Sequence, residues 1–519
     1  MRSFILLIFL FSLFFCNGQT TFVVDDENAP NEPTIVFSQN ADNLYAASNI
    51  DNFYSIDELK RKLNLNKFKA TSSLGIYGDP VLHYLDTNLF FAHLAKTPGK
   101  AYGDWFDRIV VQKINSVIPW EETSYSVGFN QGKMQDKPWM SSDHHSQYSG
   151  NLYLTWTEFD VYDSPDPEDK TRIRFSSYNS NNDSFSEAIT ISDTTGNCED
   201  SDNTLEGVST TIGSEGEIYA VWAGHDKIWF DYSIDGGETW NEDKIIAQQT
   251  EGWDMDMPHI QRANGMPFIC SDIDRGIIYV CWADEKAANA DIWLKYSKDK
   301  GKTWSSRIKV NNELQQSNQY FPNIDIDQNT GKVYIAYYDQ QYSSSQRFYD
   351  ISLGILDLEL SDTISTTRIT NQSIPLPGPK VFYGDYLDID VHNNSLAMVY
   401  TTNYKGKIAI QVTTGDTKDF KDYKPKIYPF TLAPDNYSIK DSTVIYINHQ
   451  SAGILTLRTI SGTFPNKKRN RSRVHITSEE MSRDKLLITL PNQSGYKVKI
   501  KFRKQGIEKE VFKTVLKGA

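Results

Sequence analysis

The sequence predicts an all-β fold: a six- or seven-bladed β-propeller followed by a small antiparallel β module. Three observations predict it. A short hairpin phrase ending in an aromatic residue recurs along the chain, it recurs at a spacing that holds four short strands, and the balance of charge reverses near the C-terminal sixth. The phrase reads GNLYLTW at Gly150–Trp156, GEIYAVW at Gly216–Trp222, GIIYVCW at Gly276–Trp282 and GKVYIAY at Gly331–Tyr337. Weaker copies stand at Asp42–Ser48, Thr87–His93 and Asn394–Tyr400. Each apolar run is four to six residues long and bounded by turn formers, which marks a strand rather than a helix. Copies lie 45 to 66 residues apart, enough for one four-stranded blade each. Seven copies can be counted, but the first and last are poor, so six and seven blades both stand.

Composition limits the function classes. Hydrophobic residues make up 39% of the 519, charged residues 23% and aromatics 13%, which is a globular and not a disordered composition. A formal net charge of −14 argues against a surface built to bind nucleic acid. After the N-terminus no apolar run reaches membrane-spanning length, and the composition does not set an oligomeric state.

Residues 1–18 read as an export signal. Arg2 precedes the apolar run Phe4–Phe15, and cleavage after Gly18 yields a secreted or cell-surface protein. Residues 19–32 then read as a linker, 33–430 as the propeller and 437–519 as the C-terminal module. Of the cysteines left, Cys270 and Cys281 flank a hairpin and could pair across it, whereas no spacing suits a structural zinc site.

Two further segments fit S-x-D-x-G-x-T-W in the same register, 64 residues apart. One carries Ser233, Asp235, Gly237, Thr239 and Trp240; the other Ser297, Asp299, Gly301, Thr303 and Trp304. The carboxylate and hydroxyl can satisfy turn N–H groups, and the glycine supplies a positive φ. These segments resemble the Asp-box, or BNR repeat, of the sialidase-like (neuraminidase superfamily) propellers, exported bacterial type. The resemblance covers about residues 32–426 and implies that the boxes are scaffold on the face opposite the ligand cleft.

A sialidase of that family would need an arginine triad, a Tyr–Glu pair and an aspartate. The chain has no Arg-Ile-Pro phrase, and only nine arginines lie between Gln19 and Asn436. The triad is therefore expected to be missing, since lysine is a poor substitute for a bidentate guanidinium.

In a propeller the innermost strand of each blade starts at the mouth of the axial channel. Before those strands stand Asp79, Asp136, Glu206, Asp256 and Asp385, a possible ring of carboxylates. Such a ring can hold calcium through oxygen ligands, supply the acid and base of a glycoside hydrolase, or merely cap turns. Asp79, Asp136, Asp385 and Tyr386 are the catalytic candidates. Trp139, Tyr320 and Tyr383, with Asp136, Glu206, Asp256 and Asp385, are the ligand-binding candidates, and Trp253 and Phe382 extend the aromatic set. His83, His144, His145 and His259 read as scattered, with no metal-ligand spacing and with His144-His145 in an exposed turn. No cofactor is required by any motif, and calcium is possible.

From Tyr437 onward Lys and Arg outnumber Asp and Glu by 17 to 6, against 35 to 61 in Gln19–Asn436. That reversal marks a domain boundary, and Lys467–Arg473 offers a basic patch for an anionic surface. The reading that results is an exported propeller binding extracellular glycan or a cell-surface ligand, more a binder than an enzyme. A glycoside hydrolase using the cleft carboxylates and an envelope scaffold binding protein are the alternatives.

Overall fold

The computed structural model describes residues 19–421 apart from 60–61, 100–105, 115–121, 251, 256, 287–288, 313–316 and 344, and the strands alone beyond 430. Seven antiparallel sheets follow one another in chain order. Their innermost strands are Thr34–Phe37, Val81–Leu85, Met134–Asp143, Glu206–Ile212, Phe268–Asp272, Gln319–Asp327 and Asp388–His392, in blades 1 to 7. All seven copies of the hairpin phrase fall on the second strand of a blade, the poor ones included. The architecture is a seven-bladed β-propeller, which settles the count that the repeats left open.

Residues 19–32, read from the sequence as a linker, carry the strand that closes the ring. Thr20–Asp25 pairs antiparallel with Lys407–Asp416 and becomes the outermost strand of blade 7. Asp25 then reaches into blade 1, where its carboxylate accepts Tyr54 Oη–H at 2.8 Å and Lys67 Nζ–H at 2.9 Å. The first and last parts of the propeller are thereby joined by main chain and side chain together.

The core lies between blades. Trp156, Trp222, Trp282 and Tyr337, the terminal aromatics of the stronger phrases, are fully buried there. The two S-x-D-x-G-x-T-W segments form superposable turns. Ser233 Oγ donates to Asp235 Oδ1 at 2.8 Å, Gly237 N donates to Ser233 Oγ at 2.9 Å, and Asp235 accepts the N–H and hydroxyl of Thr239. Ser297, Asp299, Gly301 and Thr303 repeat each bond. Gly237 and Gly301 have φ of 92° and 75°, and a Cβ at either would strike the ring of Phe175 or Phe230 at 2.3 Å. The tryptophans stand edge-on to those same rings, Trp240 on Phe175 and Trp304 on Phe230. Each box thus clamps its blade onto the preceding one, not merely strand onto strand.

Cys198, Cys270 and Cys281 are all buried free thiols. Cys270 lies opposite Tyr279 and Cys281 opposite Phe268, so the two cysteines are diagonal neighbours and unpaired. Beyond the propeller, eight strands between Thr431 and Val515 form two four-stranded antiparallel sheets. Most of the 467–473 basic cluster lies outside the described residues.

Removing Thr20–Asp25 exposes the edge of Lys407–Asp416 and deletes the Asp25 bonds. A chain beginning at Asn28 should melt at a lower temperature than the full chain and become sensitive to limited proteolysis in blade 7; an unchanged melting curve would refute this role.

Candidate functional site

The site grows from a repeated backbone irregularity. Glu32, Asp79, Lys137, Gly207 and Phe321, each within the last two residues before an innermost strand or its first four, have φ between 46° and 69°. Proline follows four of them, at positions 33, 80, 138 and 322. Proline bars the helical region to the residue before it, and the left-handed conformation of a non-glycine residue costs of order 1–3 kcal/mol. In blades 3, 4 and 6 the register also breaks there, between Asp136 and Trp139, Glu206 and Ser209, and Tyr320 and Asn323. Each bulge takes one residue out of the ladder, and in blade 3 it is Lys137 whose side chain leaves its own sheet and reaches Asp385.

The result is a charged knot joining five blades. Lys137 Nζ, from blade 3, donates to Asp385 Oδ2 of blade 7 at 2.7 Å and lies 3.8 Å from Glu206 Oε1 of blade 4. The Lys137 N–H donates to Asp79 Oδ2 of blade 2 at 3.1 Å and to Asp136 Oδ1 at 3.0 Å. Asn49 in blade 1 donates to Glu32 Oε2 and accepts Asp79 N–H at 2.9 Å. Arg262 grips Asp385 with two nitrogens, Nε–Oδ1 at 2.9 Å and Nη2–Oδ2, while its Nη1 donates to Asp200 at 3.1 Å. Tyr162 Oη and Trp253 Nε1 donate to Asp200 as well, at 2.8 and 3.2 Å.

Burial and counter-charge shift five of these carboxyl groups in opposite directions. Loss of solvent pushes Glu32, Asp136 and Glu206 well above the usual carboxylate range, and neighbouring negative charges add to the effect for each. Burial acts on Asp385 and Asp200 too, but the Arg262 and Lys137 charges overcome it and hold both low. Lys137 stays protonated despite its burial because Asp385, Asp136 and Glu206 surround it.

The sequence-derived candidates separate accordingly. Asp79, Asp136, Glu206 and Asp385 do converge, yet all are at most 8% exposed and are engaged with their neighbours. Asp256 lies outside the described residues, and the strand its phrase was expected to open begins only at Phe268, after Met266-Pro267. The expected aromatic platform is not a surface. Tyr320, Tyr383, Tyr386 and Trp253 are buried, with Tyr320 Oη 3.0 Å from Tyr383 Oη. Trp139 is half-buried and packs edge-on against Phe268 and Tyr386 in the channel.

Three charged members were missed, besides Asn49 and Tyr162. Glu32-Pro33 repeats the Asp79-Pro80 phrase and was findable, but it fell in the presumed linker. Asp200 and Arg262 come from the connections on either side of blade 4 and carry no motif. Arg262 is the one arginine of the knot among the described residues, so a triad of guanidinium forks is not assembled there. Nor do three or more His, Cys, Asp or Glu side chains among the described residues present a metal-binding arrangement.

Inward from the knot runs a channel of about 270 Å³, lined by the innermost strands of all seven blades. Here the structure does gather histidines: His83 Nε2 and His144 Nε2 each lie 2.8 Å from Ser142 Oγ. Burial and the nearby His144 press His83 down to about 3, so it is neutral. On loops of blades 7 to 3 at the same end as the strand starts stand the exposed side chains Ile50, Tyr77, Phe129, Val161 and Val381. Phe129 carries the Arg108 guanidinium on its ring at 4.2 Å, and Tyr77 stacks on Phe106.

No family profile and no curated protein matches this chain. Solved structures similar to it include the NanB sialidase of Streptococcus pneumoniae, at 10% identity over 73% of this chain and 84% of that one, TM-score 0.43. The Trypanosoma rangeli sialidase in complex with DANA aligns at 9% identity over 96% and 91%, TM-score 0.41. The Penicillium chrysogenum α-L-arabinanase aligns at 11% over 78% and 99%, TM-score 0.41. At these values the likeness is one of propeller architecture alone.

Two predictions follow from the knot. Asp385→Asn leaves Lys137 and Arg262 buried without their shared counter-charge and should destabilise the propeller by about 3–5 kcal/mol, read by denaturant unfolding. The second concerns pH. Glu32, Asp136 and Glu206 are raised, as are Asp388 to about 7, Asp243 to about 6 and Asp231 to about 8, all chiefly by burial. Each binds its proton more tightly folded than unfolded, so its contribution is full below the unfolded value of about 4 and is lost as pH rises through the folded value. In metal-free buffer the melting temperature should therefore fall between about pH 5 and pH 8; a rise over that window would contradict the assignment.

Proposed function

We propose that this chain binds a glycan on the face bearing the knot, as an exported protein, and does not cleave it. The observation that carries the reading is the division of labour on that face. The carboxylates that could act as acid and base are buried and tied to Lys137 and Arg262, whereas aromatic and aliphatic side chains remain exposed on the loops of the same face. Sugar rings present C–H faces that suit exposed rings such as Phe129 and Tyr77, and the half-exposed Arg262 edge offers donors to hydroxyl or acidic groups.

The glycoside hydrolase reading keeps one supporting observation. Burial and the Asp200 charge raise Glu206 well above the usual carboxylate range while Arg262 holds neighbouring Asp200 low, and carboxyl groups pushed apart in this way are what general-acid chemistry needs. For that pair to act, substrate would have to open the Arg262–Asp200 contact. An envelope scaffold that binds protein through the same apolar rim is the remaining alternative.

Retention of the mature protein on a panel of immobilised polysaccharides, run beside chromogenic glycosides, separates the three. Binding without turnover is expected, and Phe129→Ala with Tyr77→Ala should weaken it about tenfold or more while leaving the melting temperature nearly unchanged. Turnover lost in Glu206→Gln would replace the binding reading with the hydrolase. No retention on any glycan would leave the scaffold.

A further inference from the structure

A serine, two imidazoles and a carboxylate meet at the end of the axial channel away from the knot. Ser142 is the penultimate residue of the innermost strand Met134–Asp143 in blade 3, and His144 follows that strand. His83 comes from the innermost strand of blade 2, Val81–Leu85, and Asp86 from the turn after it, where it takes a φ of 55°. Asp143 is fully buried and holds the turn that carries His144, its Oδ1 accepting the N–H groups of His145 and Ser146 at 2.9 Å each. The knot lies at the starts of these strands and the serine at their ends, so the group belongs to the boxed-turn side of the propeller. Ser142, His83 and His144 all line the channel of about 270 Å³.

Hydrogen-bond accounting gives the group a direction. Ser142 Oγ has one proton and three neighbours able to accept it: His83 Nε2 at 2.8 Å, His144 Nε2 at 2.8 Å and Tyr84 O at 2.9 Å. On the other side of its ring, His144 presents Nδ1 to Asp86 Oδ1 at 3.8 Å. That is ion-pair range and longer than a hydrogen bond, and catalytic pairs without substrate are often this loose. A carboxylate beside Nδ1 favours the tautomer with its proton there, which leaves Nε2 free to accept from Ser142. Neutral His83, with its proton on Nε2, donates to the same Oγ and ceases to compete for the serine proton. A protonated His144 would instead turn that proton to Tyr84 O. The His144 and Asp86 side chains are 45% and 56% exposed, whereas Ser142 is 9% exposed and opens onto the channel.

We propose that Ser142 is a nucleophile for acyl transfer, with His144 as its base, Asp86 positioning that base and His83 donating to the oxyanion. The substrate class is a short-chain ester, its acyl end among Leu82, Met140, Ile212 and Ile269 in the channel and its alcohol end toward the boxed-turn face. Oγ forms a bond to the ester carbonyl carbon while His144 Nε2 takes its proton; the ester C–O bond then breaks and the departing alkoxide receives that proton. Water repeats the sequence on the acyl-enzyme, with His144 again moving the proton, and releases the carboxylic acid and free Ser142. His83 Nε2–H, 2.8 Å from Oγ, is placed to donate to the carbonyl oxygen as it gains charge. This activity does not depend on what the knot face binds.

The test treats the whole chain with diisopropyl fluorophosphate, maps the modified peptide by mass spectrometry, and measures hydrolysis of p-nitrophenyl acetate and butyrate. The adduct is expected on Ser142, and Ser142→Ala should lose both adduct and turnover while keeping its melting temperature. His144→Gln should slow both reactions about a hundredfold or more. His144 faces Asp86, Asp143, His145 and His83, so Asp86→Asn removes one of two negative charges that favour its proton. That variant should lower the rate and move its pH midpoint downward, a shift that a merely structural role would not produce. No adduct on Ser142, or turnover that survives Ser142→Ala, would overturn the proposal. Mapping the adduct on the unmutated chain keeps the test decisive even where a variant fails to fold.

Discussion

The constraint on which everything else rests is the closure of the ring. A row of four-stranded blades has two raw edges, and it becomes a propeller only when the last blade borrows its outer strand from the start of the chain. Thr20–Asp25 provides that strand, and Asp25 locks it to the first blade through Tyr54 and Lys67. Next to this join the innermost strands are stitched by buried side chains. Asp388 accepts Thr34 Oγ1–H and Ile35 N–H, Asp390 accepts Phe37 N–H, and Asp325 accepts Val391 N–H. Innermost strands of neighbouring blades have no ladder between them, so these carboxylates supply the connection that backbone pairing cannot.

Closure also creates the axial site. Only when seven strand starts are brought round a common axis do residues as distant in sequence as Glu32, Lys137, Arg262 and Asp385 fall within bonding reach. Their assembly is electrostatically frustrated, with six carboxyl groups around two cations, and the structure resolves this by unequal sharing. Asp385 and Asp200 hold the cations and remain ionised, while Glu32, Asp136 and Glu206 are left in a setting that favours the neutral acid. Such a knot ties five blades together at the hub and buries five of its six carboxyl groups, all but Asp200.

The two ends of the molecule are chemically distinct for the same topological reason. Connections between first and second strands and the two boxed turns share one face, whereas strand starts and the longer connections share the other. Sequence length and side-chain variety are concentrated in the second set, which is where Ile50, Tyr77, Phe129, Val161 and Val381 remain exposed. The boxed turns contribute to blade packing through Trp240 and Trp304 and are remote from that rim.

The β class, the repeat, the tight turns and four members of the axial cluster are legible in the amino-acid sequence, because each is encoded locally. A strand of alternating apolar residues, a glycine that must take a positive φ and an acid-proline phrase at a strand start are all properties of a few consecutive residues. The blade number was only half legible, since the first and last phrases are degenerate and the closing strand looks like a tail until it has a partner. What tertiary structure alone decided was environment. Tyr320, Tyr383 and Tyr386 looked like a binding platform because aromatics near a channel mouth can face either way, and packing turned them inward. Arg262 and Asp200 belong to connections without pattern, and their role exists only in the geometry that brings them to Asp385. Whether a carboxylate is a catalyst, a ligand or a structural anchor depends on the burial and the counter-charges around it, and those are set by residues hundreds of positions away.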